Sequence, residues 1–133
     1  MLRLLPPLCW TGLIAYFGGG QWSGDHTSAW LGPLLRALLP TASLEDLATA
    51  HLFIRKAGHV IEYAVLAGLW RCGLGGAWAP LALAVLTACL DELRQSFTPG
   101  RVGSMVDVLL DGTAAVTALG LIALRARLRG AVS

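Results

Sequence analysis

A chain of 133 residues has room for one domain, 1–133. Its apolar share of 56%, charged share of 14% and mean hydropathy of +0.66 argue against a soluble globular protein, in which about a quarter of residues are charged. A formal net charge of +2 is too small to suit a nucleic-acid partner, so the composition predicts an all-α integral membrane protein whose partner is the lipid bilayer.

The first apolar segment, 4–19, follows Arg3 and precedes the Gly18-Gly19-Gly20 run. It has the outline of a signal peptide, but Pro6 and Pro7 suit the first turn of a retained helix, where backbone amides lack intrahelical partners. Residues 20–53 are the least hydrophobic part and predict an interfacial, extracytoplasmic segment. Asp25, His26 and Thr27 read as a loop, and Trp30 to Leu39 as a helical piece too short to span. Ser43 with Asp46 three residues on marks a helix N-terminus. His26 and His51 have no partner at metal-ligand spacing and read as ordinary interfacial histidines.

The second span is predicted over 54–74. At 100° per residue, Arg55, His59, Glu62 and Leu66 share one stripe, with Lys56 and Tyr63 on the adjoining one. The third span, 77–95, ends in Asp91 and Glu92, with Gln95 on the face of Asp91; Thr98-Pro99-Gly100 then turns the chain. The fourth, 104–125, carries Asp107 and Asp111 one turn apart near its start. Gly112 and an Ala/Thr-rich stretch follow, allowing close helix approach, before Arg125, Arg127 and Arg129. Cys9, Cys72 and Cys89 all sit in apolar runs, an odd number without metal-type spacing, and read as lipid-facing or packing residues.

Four alternating helices place the start of the second, the end of the third and the start of the fourth on one side. All eight acidic residues then map to that side. The ten basic side chains split evenly between the two sides, so a bare count sets no orientation. Discounting Arg55, Lys56, Arg94 and Arg101, which sit among carboxylates, leaves the terminal arginines as the signal. Both termini are then cytoplasmic in a multi-pass cell-membrane protein whose polar cluster faces outward.

Ionisable groups at membrane depth are a functional-site hypothesis, since each costs a few kcal/mol to bury unpaired. Two chemistries fit the residue types. His59 and Glu62, with Asp91, Glu92 or Asp107, could form a carboxylate-rich shell for a divalent metal. Alternatively His59 acts as an acid or base with a carboxylate orienting it, while Arg55, Lys56 and Arg101 grip a phosphate. The plainer account is an ion-paired network that staples three helices. No nucleotide loop, nucleophile elbow or His-Glu-x-x-His zinc motif is present.

Two blocks carry a family likeness: Arg55-Lys56-x-x-His59-x-x-Glu62-Tyr63-x-x-Leu66, then Asp91-Glu92-x-x-Gln95-x-Phe97-x-Pro99-Gly100-Arg101-x-x-Ser104-x-x-Asp107. In order, spacing and hydrophobic layout the chain resembles the VanZ-like family. It departs just after Asp107: the family pattern has Asn-x-x-Gly where this chain has Asp111 and Ala114. The resemblance implies a small multi-spanning envelope protein and an association with resistance to lipid-bearing glycopeptides of the teicoplanin type; it implies no particular reaction. It leaves two roles: a non-catalytic membrane protein binding an amphiphile or partner, and an enzyme acting on a lipid headgroup or lipid-linked cell-wall precursor. For the second, the catalytic candidates are His59, Glu62, Asp91, Glu92 and Asp107. The substrate- or phosphate-binding candidates are Arg55, Lys56, Tyr63, Gln95, Arg101 and Ser104. Four short helices suit a monomer or a homodimer equally.

Overall fold

The computed structural model describes residues 2–130, and these are helical with no strand. A 3-10 turn, Leu2–Leu4, leads into α1 (Leu5–Phe17); α2 is Gly24–Leu38, α3 Leu44–Leu74, α4 Trp78–Ser96 and α5 Met105–Gly130. The helices α3, α4 and α5 pack on one another as the core, with α1 laid against α3 and α4, and α2 against α3.

Pro6 and Pro7 fall in the opening turn of α1, where a missing N–H costs nothing. The segment 24–29 is helical where the composition suggested a loop. Ser23, in extended conformation, starts α2: its carbonyl accepts from the Thr27 N–H at 2.9 Å and from the Thr27 hydroxyl at 2.9 Å. The helix continues through Pro33, so the expected short interfacial piece is a fifth helix of 15 residues.

The largest difference is in α3. It begins at Leu44, not near Ile54, and runs 31 residues without a break. The cause is a full capping box: Ser43 Oγ accepts from the Asp46 N–H at 3.1 Å, and Asp46 Oδ2 accepts from the Ser43 N–H at 3.0 Å. Nothing between that cap and Ile54 breaks a helix, however polar the stretch. Gly75 and Gly76, both at positive φ, end it and turn the chain into α4.

The core is small and closely packed. Tyr63, Leu66, Ala67, Ala88 and Ala115 are fully enclosed, and the small side chains of α4 and α5 let the helices approach as the Ala-rich pattern predicts. The outside is the reverse of a soluble protein's. Leu8, Trp78, Leu86, Leu90, Leu109 and Leu121 are all more than half exposed, on three of the helices. The three cysteines are free and exposed on this surface.

Among the described residues, α5 is the one helix long and apolar enough to cross a membrane by length and composition. The middle of α3 and the end of α4, which build the polar cluster, carry charge: Arg55, Lys56 and Glu62 on α3, Asp91, Glu92 and Arg94 on α4. Those charges lower the hydropathy of two helices otherwise long enough. At about 1.5 Å per residue α4 reaches about 28 Å and α3 about 46 Å, against a hydrocarbon core of about 30 Å.

Candidate functional site

The polar cluster forms where the middle of α3, the end of α4 and the start of α5 meet. Lys56 Nζ donates to Asp107 Oδ1, and His59 Nδ1 lies 3.3 Å from Asp111 Oδ2. Lys56 and His59 ascend α3 in the order in which Asp107 and Asp111 ascend α5. The two helices therefore run parallel, with α4 returning between them. The alternation expected of the second, third and fourth helices is what this pairing requires.

Each candidate residue has a definite place. On α4, Asp91 is satisfied by its own helix: Arg94 donates to Oδ1 at 2.8 Å and Gln95 Nε2 to Oδ2 at 2.6 Å. Both Asp91 and Gln95 are buried, so Gln95 serves to hold Asp91 rather than to face the open cavity alone. Glu92 Oε2 accepts the Ser104 N–H at 2.7 Å, while Oε1 has no hydrogen-bond partner. Ser104 is the cap of α5, its Oγ accepting from the Asp107 N–H at 3.3 Å. Tyr63 is fully enclosed, parallel to the His59 ring with centroids 6.5 Å apart, and its hydroxyl has no partner. Glu62 is half-buried beside His59 and lines the main cavity.

Two residues matter that the motif blocks leave out. Asp111, 1% exposed, is the partner of His59, and its Oδ1 has no hydrogen-bond partner. The four-residue step from Asp107 is the signal for it, since that step keeps both carboxylates on one stripe of α5. Gly18 is buried, and a Cβ there would run into the Arg94 guanidinium and Asp91. The Gly18-Gly19-Gly20 run, legible only as a turn, is the close seat of α1 on the acidic end of α4.

The cluster opens into a cavity of about 280 Å³ with two kinds of wall. Ile14, Phe17, Trp22 and Trp30 make the apolar wall; Arg55, His59, Glu62, Asp91 and Arg101 make the polar one. A second cavity of about 230 Å³ shares Arg55, His59 and Arg101 with it and adds Gly24, Lys56, Gln95 and Asp107. From the apolar side a groove of about 220 Å³ continues between α1 and α3 past Trp10, Leu13, Phe17 and Ile61. Trp10 fixes that groove by donating its indole N–H to the Glu62 carbonyl at 2.9 Å.

The cations of the site divide into two pairs. Lys56 and Arg94 are committed to Asp107 and Asp91. Arg101 donates to the Phe17 carbonyl at 2.7 Å and forms no ion pair, and Arg55 has neither hydrogen bond nor ion pair among the described residues. Both uncommitted guanidinium groups line both cavities. For metal ligation, His59, Glu92 and Asp111 each offer one ligand atom, all within 4.8 Å of one another. The structure thus gathers two of the five expected ligands, His59 and Glu92, and adds Asp111, whereas Asp91 and Asp107 are engaged by Arg94 and Lys56 and Glu62 stands outside the trio.

The fold and site define an all-helical protein with an apolar exterior and an ionisable cluster where three core helices meet. A family model described as VanZ/LLP1 matches residues 4–126, nearly the whole chain, and the chain belongs to that family. Neither the curated proteins nor the solved structures compared with it contain a match.

Proposed function

We propose that this VanZ-family chain is a multi-pass envelope protein that binds the phosphate-bearing head of a membrane amphiphile at the outer membrane face. In this reading α1, the later part of α3, α4 and α5 cross the bilayer, both termini are cytoplasmic, and α2 lies at the outer interface. The family link to lipoglycopeptide resistance then fits a protein that handles a lipid or cell-wall amphiphile at that leaflet.

One observation carries the proposal: Arg55 and Arg101 line a half-apolar cavity and neither forms an ion pair, although Glu62 and Asp91 share that wall. A staple needs cations that reach carboxylates, as Lys56 and Arg94 do. Arg55 does not, and a guanidinium presents a planar fork suited to phosphate oxygens. The aromatic and aliphatic wall opposite gives the attached hydrocarbon a surface to lie on.

The test uses purified protein in nanodiscs, with phosphatidic acid, diacylglycerol and inorganic phosphate as probes. Phosphatidic acid is expected to bind, diacylglycerol not to, and inorganic phosphate to compete only weakly. Arg55→Gln, which removes no hydrogen bond or ion pair, is expected to weaken phosphatidic acid binding by about tenfold or more while leaving the melting temperature unchanged. Equal affinity in Arg55→Gln and the parent would overturn the reading and leave helix stapling as the role of the charges.

A further inference from the structure

We infer that His59, Glu92 and Asp111 form a binding site for one divalent transition-metal cation. The inference goes beyond the phosphate reading and stands on different residues.

Geometry is the first support. The three side chains come from three helices, α3, α4 and α5, and bring one ligand atom each to within 4.8 Å of the other two. Rotation of side chains closes such a set onto an ion held at about 2.0–2.2 Å from nitrogen and oxygen ligands. The cluster also has support around it. Glu92 is oriented through Oε2 by the Ser104 N–H, leaving Oε1 free, which is how ligating carboxylates are commonly held.

The second support is independent of the clustering. Glu92 is 5% exposed and Asp111 1% exposed, yet Glu92 Oε1 and Asp111 Oδ1 are buried without any hydrogen-bond partner. Buried polar atoms without partners are rare, because each loses its hydration for nothing in return. The nearby cations do not bond to them: Lys56 is spent on Asp107 and Arg94 on Asp91, Arg101 donates to the Phe17 and Gly19 carbonyls, and His59 reaches Asp111 through Oδ2 only. A divalent cation would supply both missing partners and the missing charge.

The donor set narrows the ion. An imidazole with two carboxylates suits Mn²⁺ or Zn²⁺ better than Mg²⁺ or Ca²⁺, which favour all-oxygen shells.

The test needs no lipid and no activity. Protein purified in detergent is stripped with EDTA, offered Mn²⁺ or Zn²⁺, desalted and assayed for metal per chain, with the melting temperature measured in parallel. One ion per chain and a raised melting temperature are expected. Asp111→Asn and Glu92→Gln, both isosteric, are expected to weaken binding by at least about tenfold, and Glu45→Gln, on an exposed turn of α3, to leave it unchanged. Should one isosteric variant not fold, the other gives the same answer. Less than one ion per chain at saturation, or parent-like binding in Asp111→Asn and Glu92→Gln, overturns the site. Arg55→Gln separates the two proposals, since it is expected to keep the metal while losing phosphatidic acid.

Discussion

Lys56 and His59 differ by three positions on α3, yet they meet partners four positions apart on α5, Asp107 and Asp111. The helical stripe of Arg55, His59 and Glu62 is legible in the spacing, because 100° per residue alone decides which side chains share a face. Which carboxylate meets which base is not legible, since it depends on the register of two helices some fifty residues apart in sequence. Asp111 shows the difference: its stripe is readable, while its role required the placement of His59. At this scale Asp46 gives a prediction of its own. Hydrogen bonds from Ser43 hold the Asp46 carboxyl below its ordinary value of 3.8. A carboxyl depressed on folding contributes stability above its unfolded pKa and loses it as pH falls through the folded one. The melting temperature of the parent is therefore expected to fall below about pH 4 more steeply than that of Asp46→Asn, and identical profiles would show the cap to be without effect.

At the scale of elements, helix type, the number of core helices and the limits of α4 are readable from the sequence, as are the Ser43 start and the Leu74 end of α3; that one unbroken helix joins those two ends is not. Residues 44–53 are too polar to read as part of a span, yet the Ser43 capping box starts a helix that nothing stops before Gly75. Hydropathy reports solvent, whereas caps and glycines report backbone, and α3 follows the backbone. The same division governs two glycines. A Cβ at Gly103 would collide with the Glu92 carbonyl oxygen and crowd Ser96, because the chain into α5 passes directly over the end of α4. Nothing lies within 4 Å of a Cβ at Gly120, inside α5. Gly103→Ala is expected to destabilise by about 1–3 kcal/mol through overpacking. Gly120→Ala is expected to stabilise by up to about 1 kcal/mol through helix propensity. Thermal unfolding in detergent, or an unfolding titration, measures both, and equal effects would contradict the packing at the end of α4.

At the scale of the whole molecule, parallel α3 and α5 with α4 between them bring together the polar middle of α3, the end of α4 and the start of α5. That single fact turns two separated sequence blocks into one site. The proposed orientation is open to direct measurement. A fluorescent protein fused after Arg129 is expected to fold and glow in cells, and alkaline phosphatase fused there to stay inactive. In a cysteine-free background, Thr98→Cys, between α4 and α5, is expected to react with an impermeant maleimide added to intact cells. The opposite pattern would place the site on the cytoplasmic face.

The groove between α1 and α3 gives the phosphate reading a further consequence. Because it runs from the cavity along the flank of the bundle past Leu13 and Ile61, a lipid head could reach Arg55 while its tail stayed in the surrounding leaflet. Binding would then transfer only the head from one environment to another. Affinity would vary with headgroup charge and hardly at all with the number of carbons behind it, and the concentration that governs occupancy would be moles per unit of bilayer rather than moles per litre.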